Sequence, residues 1–263
     1  MVHHPDAADD DCSFIGRPRR LASLARLLVL SILCGLTGAL PTAAGQSALQ
    51  DRLDTALVVS VDVSNSVDEH RYKLQMEGIA AALEDPAVIN AILNGPNGGI
   101  LFSMVSWADR PQVAVPWVKI TSKADAMAVA TKVRMLPRHG GEFTCLSRMM
   151  RFVSDKIVTQ MPQKTLRVVL DVSGDGSDNC NPEEPASAVR DELVGTGATI
   201  NGLPILEGKE AKTLEPWYRD NVMGGPGAFV LPAEGFNDFG RAIRQKFVVE
   251  ISAAADNKAV GLR

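Results

Sequence analysis

Apolar and amphipathic blocks alternate along the chain from residue 56 onward. Residues 56–62 form a nearly continuous apolar, β-branched run, which is typical of a strand covered on both faces. Residues 68–84 instead place Tyr72, Met76 and Leu83 on one stripe at helical spacing, which predicts an amphipathic helix. The same patterns predict further strands at 100–107, 112–120, 166–172, 198–206 and 228–231, and helices at 122–135, 145–160, 185–195, 214–223 and 236–251.

This alternation predicts an α/β fold with a doubly wound, mostly parallel six-stranded sheet and helices on both faces, as in Rossmann-like proteins. A short turn joins the strands at 100–107 and 112–120, so we expect an antiparallel hairpin that gives the sheet one antiparallel edge strand. We expect one domain at 54–252, with a short linker at 46–53 before it and a C-terminal tail at 253–263. Ligands of such sheets bind at the carboxyl ends of the strands, which is where chemistry is expected.

Residues 1–45 have the pattern of a signal peptide with a long N-terminal extension. Arginines between Arg17 and Arg26 precede an apolar run at 27–40, and small residues follow it. The run is shorter than the roughly 20 residues that a membrane-spanning helix needs. We therefore expect cleavage after Ala44 or Gly45, a periplasmic or secreted bacterial protein, and no stable membrane insertion; a retained membrane anchor is the alternative.

The composition and net charge of the chain argue against one class of function. The chain has 263 residues, of which 46% are hydrophobic and 22% charged, and its net charge of -4 argues against a generally basic, nucleic-acid-coating protein. Of four cysteines, Cys145 and Cys180 lie beyond the predicted cleavage site. In an oxidising compartment such a pair can form a disulfide, although two separate thiols fit the sequence as well.

Oxygen-bearing side chains cluster in three loops at predicted strand ends or helix starts. Asp62, Ser64 and Ser66 follow the first strand at every second position, Thr144 ends a Gly-rich loop, and Asp175 lies in a Gly-flanked turn. Two carboxylates and three hydroxyls would make a hard, all-oxygen site that suits Mg²⁺ or Mn²⁺ better than Zn²⁺. So few negative ligands would leave the ion much of its positive charge, and with it an attraction for an acidic group from another molecule.

Each of these loops also has a structural interpretation. Ser66 and Glu69 match a capping box, in which Ser66 would cap the following helix. Thr144 also precedes a predicted helix and would serve as an N-cap, and Asp175 would be a turn residue. A metal-free scaffold whose oxygens only cap helices therefore remains a hypothesis.

The chain resembles a von Willebrand factor A (vWA) domain with a metal-ion-dependent adhesion site (MIDAS). The Asp-x-Ser-x-Ser motif matches at residues 62–66, the distal threonine at Thr144 and the distal aspartate at Asp175, and the similarity extends over about residues 54–252. More narrowly, the chain is similar to a bacterial exported branch classed as a domain of unknown function. That similarity is carried by the phrases Asp171-Val-Ser-Gly-Asp-Gly176, Ile200-Asn-Gly-Leu-Pro-Ile205 and Tyr218 to Phe229.

The resemblance implies roles for these residues. Ser64, Ser66 and Thr144 would bind the cation directly, and Asp62 and Asp175 directly or through water. The usual Gly-Gly-Thr loop here has Glu142 in place of the threonine, so Glu142 is a possible additional ligand. If the loops that carry Thr144 and Asp175 converge on one ion, Cys145 and Cys180 come close together, and we expect a disulfide between them.

The leading hypothesis is an exported, monomeric, Mg²⁺- or Mn²⁺-dependent binding module that captures a carboxylate of a protein partner and no nucleic acid. The rival is a metal-dependent hydrolase of the phosphoesterase type. Ser64 occupies the position where a haloacid-dehalogenase-type phosphatase would carry its second aspartate. The sequence also lacks the Ser-x-x-Lys, Gly-x-Ser-x-Gly and phosphate-loop motifs. We therefore assign no catalytic residues and expect that the protein is not an enzyme.

Overall fold

The computed structural model describes residues 52–180 and 183–260, and the predicted signal peptide lies outside the described residues. Within them a five-stranded sheet runs in the order β3-β2-β1-β4-β5. The strands are β1 (Leu53–Asp62), β2 (Ile100–Trp107), β3 (Gln112–Ile120), β4 (Thr165–Gly174) and β5 (Thr199–Pro204).

The sheet is mostly parallel, as the sequence predicts. β1 lies parallel to β2 and β4, β5 lies parallel to β4, and only β3 is antiparallel to its neighbour. The predicted hairpin at one edge is therefore confirmed. The winding direction reverses between β1 and β4, so that their carboxyl ends, Asp62 and Gly174, are neighbours at the switch point of the sheet.

The prediction of a sixth strand at 228–231 is wrong in the described residues. In that segment Val230 makes an isolated bridge to Gly202 of β5, and the next bridge, between Ala233 and Ile205, lies beyond the ends of both. The Leu231 amide donates to the carbonyl of Gly202, but Pro232 follows directly and has no N–H to continue a ladder.

Helices cover both faces of the sheet. The α-helices of the described residues are α1 (Glu69–Glu84), α2 (Pro86–Leu93), α3 (Lys123–Arg134), α4 (Leu146–Phe152), α5 (Ala186–Gly195), α6 (Leu214–Asn221) and α7 (Phe239–Val260). The pattern missed α2, which begins at Pro86 directly after its cap, Asp85. The predicted helix at 145–160 is α4 followed by a π turn (Val153–Ile157) and a 3₁₀ turn (Val158–Gln160).

Burial on both faces explains why residues 56–62 of β1 form a nearly continuous apolar run. Every residue of β1 is buried. Leu57, Val59 and Val61 face a core shared with α1, α2, α3 and α7, whereas Val58 faces a second core shared with α4, α5 and α6. These two cores hold the β1 and β4 ends in place.

The last helix continues into the range predicted as a C-terminal tail. A 3₁₀ turn (Phe236–Asp238) leads into α7, which runs as far as Val260. None of the helices in the described residues combines the length and apolar character needed to cross a bilayer.

Candidate metal centre

The loop after β1 is organised by the Asp62 carboxylate. The Ser64 backbone N–H donates to Asp62 Oδ1 at 2.8 Å, which folds the chain back toward the strand end. Gln75 of α1 donates from Nε2 to the Asp62 carbonyl at 3.1 Å, and the Val67 N–H donates to the Ser64 carbonyl. Asp62 and Ser64 are both buried.

The capping interpretation of Ser66 is not what the structure shows. Helix α1 is capped by Asp68, whose side chain accepts a hydrogen bond from the Arg71 N–H. The Ser66 hydroxyl instead donates to Asp175 Oδ1 at 2.6 Å and lies 3.2 Å from Ser64 Oγ. Ser66 therefore links the loop after β1 to the turn after β4.

Thr144, two residues before α4, contacts the same loop. Its Oγ1 donates to Ser64 Oγ at 3.4 Å, while helix α4 has Cys145 at its N-cap position and no side-chain cap. Asn179 holds the Thr144 backbone at both ends, because its Oδ1 accepts from the Thr144 N–H and its own N–H donates to the Thr144 carbonyl. Thr144 therefore does not cap α4, and its hydroxyl contacts Ser64 instead.

The predicted disulfide is confirmed. Cys145 and Cys180 are bonded, with Cα atoms 5.2 Å apart. The bond joins the residue after Thr144 to the residue after Asn179, so it holds the same two segments that the Asn179 hydrogen bonds connect.

The turn after β4 brings Asp175 beside Asp62. A Cβ built on Gly174 would lie 3.0 Å from Asp62 Oδ2, and one on Gly176 would lie 3.4 Å from Thr144 Oγ1. The structure thus brings together Asp62, Ser64, Ser66, Thr144 and Asp175, which come from three separate loops. That these side chains bind a metal remains a prediction.

Glu142 stands apart from this network. It is exposed, and its backbone N–H donates to Asp109 Oδ2. Among the described residues no hydrogen bond or ion pair engages its carboxylate, so its role as an additional ligand also remains a prediction.

Burial disfavours the ionised forms of the Asp62 and Asp175 carboxylates. Burial, and secondarily the nearby charge of Asp175, raises the pKa of Asp62 to about 7. Burial also raises the pKa of Asp175, partly offset by the Ser66 hydrogen bond. Asp62 Oδ2 is buried and has no hydrogen-bond partner among the described residues. A cation at this position would supply the missing partner.

Tyr218 is a feature of the site that sequence reasoning did not find. Its ring is fully buried. Its hydroxyl has no hydrogen-bond partner in the described residues and lies 2.9 Å from the same Gly174 Cβ position that is 3.0 Å from Asp62 Oδ2. Only the fold reveals this, because α6 carries Tyr218 over the end of β4.

The donor set fits a hard divalent cation. Three hydroxyls and two carboxylates offer only oxygen, as Mg²⁺ and Mn²⁺ prefer. The described residues contain no group of three or more His, Cys, Asp or Glu side chains suited to a metal. The resemblance to a MIDAS accounts for that result, since hydroxyls provide most of its donors.

Solved structures share this fold at low sequence identity. Proximal thread matrix protein 1 from the mussel byssus is 15% identical and has a TM-score of 0.56, with 75% of this chain and 46% of that chain covered. A second structure of that protein, with a zinc-occupied MIDAS motif, is 14% identical and has a TM-score of 0.55, with 77% of this chain and 46% of that chain covered. A von Willebrand factor type A structure from Catenulispora acidiphila is 17% identical with a TM-score of 0.53 and coverages of 78% and 43%.

These structures define the class: the chain has the von Willebrand factor A fold. It matches less than half the length of the solved chains it resembles. More specifically, the chain belongs to the family of proteins of unknown function called DUF1194, whose model matches residues 52–255. A search of curated proteins gave no match.

Proposed function

We propose that this protein is an exported binding module of the adhesion type, in which a divalent cation captures an acidic group of a protein partner. The observation that carries the proposal is the hydrogen-bonded series from Thr144 through Ser64 and Ser66 to Asp175. Beside it lies Asp62 Oδ2, which has no hydrogen-bond partner in the part of the chain that the structure describes. These are the positions of the MIDAS pattern. Export rests on residues 17–45, which lie outside the described residues.

The charge balance explains why such a site would bind rather than only hold a cation. Ser64, Ser66 and Thr144 are neutral donors, so the two aspartates alone would oppose the charge of a Mg²⁺ or Mn²⁺ ion. The ion would supply Lewis acidity and an attraction for anionic oxygen, and Mg²⁺ characteristically keeps positions for water or ligand oxygens. A carboxylate from the partner would fill such a position.

Nucleophilic catalysis has no support among the described residues. Asp62 and Asp175 are the only carboxylates in the hydrogen-bonded group, and neither has a histidine or lysine partner within it. We propose that the module is monomeric and not an enzyme, and the phosphoesterase is an outcome that the experiment detects.

The test has two steps. Calorimetric titration with Mg²⁺ and with Mn²⁺ is expected to show one site in the wild type, none in Asp62→Ala or Asp175→Ala, and an unchanged site in Asp191→Ala, an exposed control on α5. Immobilised protein is then expected to retain a partner from an envelope extract in Mg²⁺ and to release it in EDTA. Capture that EDTA does not reverse contradicts the proposal, and metal-dependent turnover of a phosphoester that Asp62→Ala abolishes favours the hydrolase.

A further inference from the structure

Two adjoining cavities form a groove next to the Thr144 loop. The larger cavity has a volume of about 580 Å³. Its lining includes Phe143 and Cys145, which flank Thr144 in the chain, and Asn179, which is hydrogen-bonded to the Thr144 backbone. The smaller, of about 320 Å³, extends along α4 to Lys156. Both are bordered by Asp109, Arg110 and Arg148. We call the two cavities together the basic groove.

In the walls of the basic groove the cations outnumber the carboxylates, although one of these cations, Arg151, is ion-paired to Glu184 and Glu192. The walls carry four basic side chains and two acidic ones, whereas the protein has a net charge of -4. The basic ones are Arg110, Arg148, Arg151 and Lys156, and the acidic ones are Asp109 and Asp155.

Some of the charged side chains in the basic groove already form hydrogen bonds or ion pairs within the protein. Both oxygens of the Asp109 carboxylate accept backbone N–H groups, from Glu142 and Phe143, so this carboxylate serves to hold the loop. Arg151 is paired with Glu184 and Glu192.

Two of the cations remain available to a ligand. Arg110 and Lys156 are exposed, and within the described part of the chain neither side chain forms a hydrogen bond or ion pair. Arg148 donates one bond to the Asp109 carbonyl and keeps its other N–H groups. Phe143, which precedes Thr144 in the chain, adds an aromatic surface that is 45% exposed.

We propose that the basic groove binds an extended acidic segment of the partner protein, next to the carboxylate that the metal captures. This proposal rests on the proposed function and specifies its ligand: one acidic residue at the cation, followed by further acidic residues that lie against Arg110, Arg148 and Lys156. Successive residues of an extended chain advance about 3.3 Å, so a segment of a few residues spans cavities of this size. Guanidinium groups bind carboxylates through paired, charge-assisted hydrogen bonds, which makes the acidic segment the complementary ligand.

Two labelled synthetic peptides test the proposal. One carries a single aspartate in a Gly-Ser background, and the other carries the same aspartate followed by three glutamates at alternate positions. In Mg²⁺ the polyacidic peptide is expected to bind the full chain about tenfold more tightly, an advantage that shrinks as salt is added. The double variant Arg110→Glu/Lys156→Glu is expected to lose that advantage while its calorimetric Mg²⁺ affinity is unchanged.

The control is Lys132→Glu, which changes an exposed lysine on α3 outside the groove and is expected to keep the advantage. Equal affinities of the wild type for the two peptides, with both still dependent on Mg²⁺, overturn the groove proposal and leave the proposed function standing. Polyacidic binding that survives EDTA but is lost in the double variant supports the groove and contradicts metal capture. If Mg²⁺ binds and neither peptide does, both are overturned.

Discussion

The Ser66 hydroxyl donates a 2.6 Å hydrogen bond to Asp175 Oδ1, across 109 positions of sequence. This bond joins the loop after β1 to the turn after β4 at the point where the winding of the sheet reverses. The sequence predicts that Ser66 caps α1, but its side chain instead belongs to the candidate site, and Asp68 caps the helix. Hydrogen bonds between their own side chains link Thr144, Ser64, Ser66 and Asp175.

Replacing Asp62 by asparagine is expected to abolish metal binding and to stabilise the metal-free protein. The native carboxyl has a pKa of about 7, whereas the unfolded one has an ordinary value near 3.8. Between these values the native state binds more protons, so the unfolding free energy of the metal-free protein falls as pH rises. The amide removes this penalty and keeps an acceptor for the Ser64 N–H, and we expect a gain of roughly 1–3 kcal/mol at pH 8.

Urea unfolding in EDTA at pH 8 measures this change. The same comparison at pH 4, where the native carboxyl is protonated, is expected to show little difference between wild type and Asp62→Asn. A variant that is less stable than the wild type at pH 8 contradicts the electrostatic account of the site.

Metal affinity is expected to fall as pH drops below about 7. Protons compete with the cation for Asp62, because burial raises the pKa of its carboxyl to about 7. In the limit the apparent affinity falls about tenfold for each unit below that value. Mn²⁺ titrations between pH 5.5 and 8.5 measure the slope, and an affinity that stays constant from pH 8 to 6 is inconsistent with Asp62 as a ligand.

Removing the disulfide is expected to weaken both the fold and the site. Cys145→Ser/Cys180→Ser opens a loop with a sequence separation of 35 residues. The loop-entropy model gives a loss of roughly 3–4 kcal/mol. Thr144 and Asn179 precede the two cysteines, so the position of the Thr144 hydroxyl also loosens. Denaturant unfolding and Mg²⁺ calorimetry on the same variant test both effects, and unchanged metal affinity would show that the bond acts on stability alone.

Gly174→Ala is expected to reduce metal affinity by tenfold or more. The added Cβ would lie 2.9 Å from the Tyr218 hydroxyl and 3.0 Å from Asp62 Oδ2, so one of the two must move. Gly195→Ala is the matched control, because a Cβ there meets no atom within 4 Å. Adding Tyr218→Phe to Gly174→Ala removes one of the two clashing atoms and is expected to restore part of the affinity. A Gly174→Ala protein that binds Mg²⁺ as well as Gly195→Ala does would contradict the packing described for Asp62.

The sequence predicts the centre of this fold better than its periphery. Strand β1 is buried on both faces, and six of its ten residues are apolar, including the continuous run from Ala56 to Val59, so the pattern is clear. The segment at 228–231 has the same apolar character, but the proline after it prevents a continuous ladder. Helix α2 is eight residues long and follows α1 after a single residue, so its periodicity merges with that of its neighbour.

The candidate site, like the fold, has residues that the sequence predicts and one that it does not. Five oxygen-bearing residues can be proposed because the spaced motif and the two loops all lie at strand ends or helix starts of one predicted sheet, although each residue alone also fits a cap or a turn. Tyr218 lies on an amphipathic helix, where an aromatic residue is expected to be buried in the core. Its position over Gly174 depends on how α6 packs on the sheet, which local sequence does not encode.

The central claim is that one divalent cation binds among Asp62, Ser64, Ser66, Thr144 and Asp175. A crystal structure of the wild type grown with Mn²⁺, with anomalous diffraction measured at the manganese edge, tests it most directly. We expect one strong anomalous peak at bonding distance from the hydroxyls of Ser64 and Ser66, and its loss in Asp175→Asn crystals. A map without a peak at these side chains, or with manganese bound only elsewhere, would contradict the account.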